Sequence, residues 1–555
     1  MIPVCSLNEL SIFRPDARTR DLARRLECSE VTAAVLGSRE SGEDVLRQLL
    51  STPDLRGQLA DLDMGRAAEA ARALWQRSVP EKKVFVYGDY DVDGVSSTVL
   101  AMELAQQSGA ASVTYYIPDR QAEGYGLHRE NMRRILADGF DCLIVVDCGS
   151  KDVEAVEMAK SAGLNVIIFD HHSVEGDVVS LESFINPQVD GDEESKKLCA
   201  TAVLWCWAWK ARLISEARLA DLLQLVALAT VSDCMPLGPL NRALAREGMK
   251  MMRRRPRRGL VELIHALCPT EPDALLDENR LAMRIIPCLN AAGRVQVADV
   301  AVNVLYGRGS DLELQRSVEE LLSLNRKRRD ISMTICNSIN VGLENGEESQ
   351  VLYNGGWPVG ILSAIASRLC SEHNKAFALA APSGSGIRGT LRVPDGANAV
   401  ELLSRLDGLL EGWGGHRSAA GFSVDQLKWP RVAKELNSML TNIKVEKARE
   451  EVILFDPGQI GRDDWGDVLR IGPFGNGNPS PAFFAPMDPD VTYMPLGKKG
   501  LHARVLIGGS ALIAFNGAQQ LESTQGIRGW IYKPRLNLWQ GRMNLQFIVE
   551  RIVVA

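Results

Sequence analysis

Val84-Phe-Val-Tyr-Gly-Asp89-Tyr-Asp91-Val-Asp93-Gly94 reads as a short apolar strand running straight into three alternating carboxylates, with Gly94 opening a helix. Four apolar residues in a row suit a strand covered on both faces. In an open α/β sheet, ligands bind outside the carboxyl ends of the strands, which is where these acids fall. Three acids so close repel one another unless cations fill the gap, as hard divalent ions with oxygen ligands do. An EF-hand loop also begins DxDxDG, but it needs a Glu at its twelfth position and a helix before it. Counted from Asp89, the twelfth residue is Leu100, and a strand precedes the loop.

The same texture continues outward. Val113–Ile117, Cys142–Val146 and Val166–Phe169 are further apolar runs, separated by helical-period segments such as Ser96–Gln107 and Val153–Ala162. That alternation predicts a parallel α/β sheet. Two of these runs end in acids: Asp147, followed by Gly149, and Asp170 with His171 and His172. Asp233 ends another apolar stretch, Leu225–Ser232, read here as one more strand end. A single strand-end Asp is commonly a helix cap, but four acidic clusters are hard to assign to capping. Histidine is scarce, seven in the chain, yet two are adjacent here. Mixed carboxylate and imidazole ligands without a thiolate suit Mn²⁺ or Mg²⁺ better than zinc. Two such ions about 3.5–4 Å apart are the usual apparatus for hydrolysing phosphoesters.

The 555 residues predict three or four domains, and 46% apolar with 24% charged residues is globular composition. A net charge of −7, from 63 basic and 70 acidic residues, leaves no global positive field, so any phosphate-binding surface must be local. Eleven cysteines without a CxxC pair fit a reducing compartment. The start lacks a secretory signal pattern, and the longest apolar stretch, Leu222–Val231, is too short for a bilayer. A cytoplasmic location is therefore expected. Residues 1–75 read as a helical segment and 76–309 as the α/β catalytic domain. Residues 310–341 contain no Gly or Pro; Ser310 and Glu313 form a capping box, and Gly342 is the expected stop. The segment 310–345 therefore reads as a connecting helix, its residues 310–341 extending about 48 Å, long enough to join two domains. Its basic run Asn325-Arg-Lys-Arg-Arg329 suits a solvated face or a DNA-facing one. A smaller α/β unit follows at 346–435. The short strands and Gly, Pro and Asn turns of 445–555 suit a small β-barrel.

Taken together, Asp89-Tyr-Asp91-Val-Asp93-Gly, Asp147, Asp170-His171-His172 and Asp233 resemble the four ordered motifs of the DHH phosphoesterase superfamily. The resemblance extends to Tyr116-Ile-Pro-Asp-Arg120, Glu123-Gly-Tyr-Gly126, Leu289-Asn-Ala-Ala-Gly-Arg294, Gly414-Gly-His416 and Pro473-Phe-Gly-Asn-Gly-Asn-Pro479. Over roughly residues 75–555 the order is that of RecJ-type single-strand-specific exonucleases. It implies a DHH domain, a long connecting helix, a DHHA1 domain and a C-terminal OB-fold. It also implies metal-dependent 5′→3′ degradation of single-stranded DNA, in repair and recombination, with single-strand-binding protein and a helicase as partners. By the same resemblance Asp91, Asp93, Asp147, His171 and Asp233 ligate metal, with Asp147 bridging; Asp89 ligates directly or supports the ligands. His172 contacts the scissile phosphate and Asp170 orients the adjacent imidazole. Arg120, Asn290, Arg294, Arg368, Arg388 and His416 bind substrate. On the OB-fold, Lys498, Lys499, His502, Arg504, Lys533, Arg535, Trp539 and Arg542 are suitable types for a single-strand track.

Two positions depart from the family pattern. Pro358 stands where Trp-His-x-Gly has histidine, and Cys288 where an arginine precedes Leu-Asn-Ala-Ala-Gly-Arg. Two rival readings remain open. One is a phosphodiesterase for short oligonucleotides or cyclic dinucleotides, a class that usually lacks the OB-fold. The other is a catalytically silent DNA-binding scaffold, against which the intact acids argue, because a cluster of buried charge is costly to keep.

Overall fold

The computed structural model describes residues 2–555 apart from 40, 121, 175, 270–275, 347–348, 444–448, 498–499 and 540–541. Lys498 and Lys499 thus lie outside the described residues, as do residues 444–448 ahead of the C-terminal domain. The chain opens on two strands, β1 (Val4–Ser6) and β2 (Leu10–Phe13), before the helices Ala17–Leu26, Glu30–Gly37 and Glu43–Leu50. The segment 1–75 is therefore not purely helical.

The catalytic sheet holds β3 (Lys83–Tyr87), β4 (Ser112–Tyr116), β5 (Cys142–Val146), β6 (Asn165–Phe169) and β7 (Phe184–Ile185). All pairs are parallel, in the order β4-β3-β5-β6-β7. The chain moves to one side of β3 and then returns to the other, so the order reverses between β3 and β5. A crevice opens at the carboxyl ends on either side of such a reversal. Asp89–Asp93 follow β3, and Asp147 follows β5. The apolar stretch before Asp233 is not a strand: it is the end of the helix Glu216–Ser232, with Asp233 at its C-cap. That helix is apolar on nearly every side because it is packed among other helices.

The connecting helix spans Asp311–Glu344, 34 residues or about 51 Å. Its capping box forms between Ser310 and Glu313, but the helix passes through Gly342 and stops at Asn345. Val318, Leu321 and Leu324 join the core of the first domain, whereas Ile335, Cys336 and Ile339 join that of the second. Within its basic run Arg326, Lys327 and Arg329 are exposed, while Asn325 is buried and Arg328 half-buried.

The second domain pairs β8 (Val351–Tyr353), β9 (Phe377–Ser383), β10 (Gly386–Arg392), β11 (Gly412–His416) and β12 (Ala419–Asp425) in the order β11-β12-β10-β9-β8. The helix Val359–His373 lies against β9 and β10. The C-terminal domain contributes β13 (Glu450–Leu454), β14 (Phe483–Pro486), β15 (Thr492–Leu496), β16 (His502–Ile507), β17 (Ser510–Ala514), β18 (Ile527–Trp539) and β19 (Arg542–Val554). Its ladder runs β15-β16-β17-β19-β18-β14-β13-β2, with β1 beside β19. Among the described residues no ladder joins β15 to β2, so hydrogen bonding does not close the sheet. Leu26, Val31, Leu36, Leu46 and Leu50 share its core with Trp465, Phe483, Trp530 and Tyr532. Arg242 clamps this body to the first domain by donating to the carbonyls of Gln48, Leu49 and Ile471. No described helix is long and apolar enough to cross a membrane.

Candidate active site

Local chemistry places the acids. Asp91 is the N-cap of the helix Val92–Gln107, one oxygen accepting from the amides of Asp93 and Gly94 at 3.0 and 3.1 Å. Gly94 is required here because a Cβ would sit 2.4 Å from the Asp89 carbonyl oxygen. Asp147 occupies left-handed backbone, φ +60°, unusual for a non-glycine residue and typical of strain held at a functional site. Asp93 is fully buried, and both its oxygens are engaged. They accept from the amides of Ala200 and Thr201 at 2.7 and 2.9 Å and from the Thr201 hydroxyl. Asp93 thus fastens the start of the helix Ala200–Ala211, and only Oδ2 also faces His171, 3.7 Å away.

His171 Nε2 lies 3.4 Å from Asp147 Oδ1 and 3.4 Å from Asp233 Oδ2. Asp89, Asp91 and Asp147 present oxygens within 4.8 Å of one another. Burial first, then the neighbouring acids, push the Asp89, Asp147 and Asp233 carboxyls well above the usual range. Burial and the charge on His172 hold His171 below its ordinary value. Within this cluster three buried side-chain atoms lack a hydrogen-bond partner: Asp89 Oδ1, Asp147 Oδ1 and His171 Nε2. A buried acceptor without a donor is costly, and a hard divalent cation supplies what these acceptors lack. The donor set, carboxylates with one imidazole, fits Mn²⁺ or Mg²⁺.

Asp170 is different, because its hydrogen bonds are already made. It accepts from the amides of His171 and His172, from the amide and hydroxyl of Ser150, and from His172 Nδ1 at 2.8 Å. Burial raises its pKa, but the hydrogen bond and charge of His172 outweigh that and hold it well below the usual carboxylate range. Burial likewise lowers the His172 pKa, and Asp170 more than reverses this, taking it to about 9. Tyr125 hydroxyl meets the same Nδ1 at 3.1 Å and donates to the Asp147 carbonyl, also at 3.1 Å. Nδ1 being occupied, His172 has Nε2 left for a ligand.

Beside the acids lies a cleft of about 220 Å³, lined by Tyr90, Asp91, Arg120, Asp233, Asn290, Arg294 and, from the second domain, Ser363. A larger depression of about 720 Å³ lies between the N-terminal helices and the helix Arg462–Val468, but its charges are of both signs and it holds no metal-ligand cluster among the described residues. In the smaller cleft Arg120 lies over the Tyr90 ring at 4.6 Å. Burial, then the charges of Arg120 and Arg328, push Arg294 down to about 10. Asn290 also has a structural task, its Oδ1 accepting from the Val92 amide at 3.1 Å. Arg388 reaches across from β10: a Cβ on Gly124 would sit 2.8 Å from its Nη2, beside Tyr125.

Two expected substrate residues are not among those lining the cleft. Arg368 pairs with Glu372 one turn along its own helix and lies by Cys336 of the connecting helix, on a different side from Ser363. His416 is exposed at the β11–β12 turn. Pro358 is the N-cap of the helix Val359–His373, and Gly360 packs so tightly that a Cβ would meet the Arg294 carbonyl at 2.3 Å. Cys288 is fully buried against the Leu321 carbonyl. Sequence reasoning passed over Thr201, Ser363 and Arg392, none of which stands in a recognisable motif. It quoted Tyr125 without giving it a role.

Family models match the DHH family N-terminal domain at residues 83–230, the DHHA1 domain at 348–444 and the RecJ OB domain at 454–551, together more than half of the chain. The single-stranded-DNA-specific exonuclease RecJ of Bacillus subtilis (strain 168) is 29% identical, covering 98% of this chain and 70% of its own length. That of Escherichia coli (strain K12) is 28% identical, covering 90% of this chain and 92% of its own length. The crystal structure of RecJ in complex with Mn²⁺ from Thermus thermophilus is similar with a TM-score of 0.77 at 24% identity, covering 99% of this chain and 78% of that one. A crystal structure of exonuclease RecJ bound to manganese gives 0.57 at 27% identity, covering 68% of this chain and 96% of that one.

Proposed function

That this chain belongs to the RecJ-type DHH phosphoesterases is the premise from which we propose its activity: metal-dependent exonucleolytic hydrolysis of single-stranded DNA, proceeding 5′→3′. The observation that carries the reading is the meeting of Asp89, Asp147 and His171, each with a buried unpartnered atom, beside a cleft walled by Arg120 and Arg294. Asp89, Asp91, Asp147, His171 and Asp233 would hold the metal, with Asp93 reaching it through Oδ2. Bound Mn²⁺ or Mg²⁺ supplies water acidified for attack and charge to stabilise the leaving oxygen.

The chain's own residues do the rest. Asp170 fixes the His172 ring through Nδ1, so that Nε2 is left to donate to a non-bridging oxygen of the scissile phosphate. Tyr125 ties that ring to the strained Asp147 backbone. Arg294 and Arg120 receive a neighbouring phosphate, and Arg388 brings the second domain against the Tyr125 loop. The C-terminal OB domain holds the trailing strand, with His502, Arg504, Lys533, Arg535 and Arg542 as its basic side chains. That domain favours long strands over the dinucleotide or cyclic-dinucleotide reading. The unpartnered buried acids disfavour a silent scaffold, which would gain nothing from them. Single-strand-binding protein and a helicase are the partners proposed from the family. A cytoplasmic setting accords with eleven unpaired cysteines.

Purified protein with Mn²⁺ should shorten a single strand labelled at its 3′ end progressively, releasing labelled nucleotide at once when the label is at the 5′ end. Duplex DNA, RNA and dinucleotides run alongside define the substrate class. Faster hydrolysis of the dinucleotide than of the long strand would move the assignment to the rival phosphodiesterase class.

A further inference from the structure

Pro473-Phe-Gly-Asn-Gly-Asn-Pro479 belongs to the C-terminal domain, yet its tip lies against the loop that follows Asp233. Asn476 Nδ2 donates to the Cys234 carbonyl at 2.9 Å, and the Asn476 carbonyl accepts from the Leu237 amide at 2.7 Å. The approach is close: a Cβ on Gly475 would sit 2.9 Å from Leu237 Cδ1. The turn is itself firmly built. Gly475 and Asn478 exchange backbone hydrogen bonds at 2.8 and 3.1 Å, with Gly477 between them at φ +73°. Asn478 is almost wholly buried; it donates to the carbonyls of Ile471 and Pro473, and its Oδ1 accepts from Arg39. The Phe474 amide donates to Glu278 of the first domain, and Asn241 of that domain donates to the Pro236 carbonyl. Asn476 is thus presented to Cys234 from a fixed base.

The helix Glu216–Ser232 ends in a cap of two crossed bonds. The Met235 amide donates to the Thr230 carbonyl at 3.1 Å, and the Cys234 amide to that of Val231 at 3.3 Å. Such a cap puts the residue after the C-cap in left-handed backbone, where glycine usually stands. Here that residue is Cys234, at φ +52°. A side chain makes this conformation costly, and it persists where the surroundings over-determine it. Asp233, the residue just before it, projects its Oδ2 to within 3.4 Å of His171 Nε2. The direction of that carboxylate therefore depends on a strained turn, and the bond that fastens the far side of the turn comes from another domain.

Building on the proposed role of Asp233 as a metal ligand, we infer that Asn476 is a positioning residue for it, so that the C-terminal domain completes one half of the metal site. Asp93, His171 and Asp233 present donor atoms within 4.8 Å of one another, and Asp89, Asp91 and Asp147 form a second such group. In the first group Asp93 is tied to the amides of Ala200 and Thr201, and the His171 amide to Asp170, all inside the first domain. Asp233 is the member whose backbone is held from outside. Asn476 touches neither substrate nor ion; it acts through the Cys234 carbonyl. The body that holds the trailing strand thereby also sets one ligand of the reacting centre.

The test titrates Mn²⁺ into the full chain by calorimetry, for the wild type, Asn476→Ala, Cys234→Gly and the Asn476→Ala/Cys234→Gly double variant. Asn476→Ala removes the side-chain donor and should weaken one Mn²⁺ about fivefold, leaving the other within about twofold. The Mn²⁺ concentration that half-saturates strand hydrolysis should rise to match, and turnover should be recovered at saturating Mn²⁺. Glycine holds a left-handed turn unaided, so in the Cys234→Gly background the same substitution should cost no more than about twofold. Unchanged Mn²⁺ binding by Asn476→Ala overturns the inference. Equal weakening of both ions does so too, since Asn476 would then act on the fold at large. A loss undiminished in the Cys234→Gly background would show that the strained turn is not the route, and the inference falls. Normal Mn²⁺ uptake by a wild type that does not hydrolyse the strand would remove the exonuclease reading, while the titrations still decide the role of Asn476.

Discussion

On the first-domain side of the cleft, Asp91, Asp93 and Asp170 are tied to backbone amides, and Asp147 sits in strained backbone between Phe169 and Tyr125. On the other side, Ser363, Arg388 and Arg392 stand on a separate core that shares the connecting helix with the first. One side is fixed by hydrogen bonds within a single domain; the other is carried on its own core and meets the first where Gly360 packs on the Arg294 carbonyl. Reacting groups need placement within fractions of an ångström, whereas a phosphate clamp gains from closing after the strand has entered. The comparison teaches that the second domain adds to a site whose acids and nearest arginines, Arg120 and Arg294, all stand on the first, and it can be broken or sharpened one residue at a time.

The largest effect is expected from Asp147→Asn, which should reduce turnover in Mn²⁺ on the order of 10³-fold or more. The same substitution should not destabilise the metal-free protein at neutral pH. The Asp147, Asp89 and Asp233 pKa values are raised by folding, so the native state binds more protons than the unfolded chain. Their contribution to stability therefore falls as pH rises from the unfolded value, about 3.9, through the raised folded ones. Thermal melting in EDTA at pH 8 should show Asp147→Asn at or above the wild type, with Mn²⁺ reversing the order. A wild type that melts higher without metal would mean that the acids are satisfied by something other than a cation.

His172→Ala comes next, lowering kcat roughly 10²–10⁴-fold with metal stoichiometry retained, because its one bonded nitrogen is committed to Asp170 and Tyr125. Loss of an ion in titration calorimetry would make it a ligand instead. Across the cleft, Arg388→Ala should raise KM about tenfold and leave kcat nearly unchanged. A matching fall in kcat would show that the second domain takes part in placing the reacting atoms, and the division would fail. The smallest effect belongs to Arg368→Ala, within about 0.5 kcal/mol in stability and within about twofold in KM, because its partner Glu372 is an exposed neighbour on the same helix.

Much of the catalytic side was legible because it is local: strand, acids and helix follow one another in a single stretch, and four parallel strands read as apolar runs. Asp233 was misplaced on a strand end because a fully buried helix and a buried strand are both continuous apolar runs, and periodicity cannot separate them. Arg368 was carried to the substrate by its motif, but a helix turns about 100° per residue, and five residues past Ser363 it faces elsewhere. Ser363 and the Arg392 that donates to its hydroxyl were illegible, since a serine on a helix and an arginine on a strand acquire meaning only when packed together. Cys288, which stands where the family pattern has an arginine, is fully buried, its thiol directed at the Leu321 carbonyl of the connecting helix.

The pairing of β1 with β19 and of β2 with β13 sets a timetable for the ribosome. The catalytic sheet can assemble while the rest is still being translated, but the earliest strands must wait for the last ones, and topology of that kind folds slowly. During the wait β1, β2 and the apolar faces of the helices behind them are uncovered, a state prone to aggregation and to chaperone capture. Ser6 hydroxyl donates to the carbonyl of Ala555, so the ends of β1 and β19 lie side by side. A circular permutant that joins them and opens the chain at an exposed loop would turn the slowest contact into a local one.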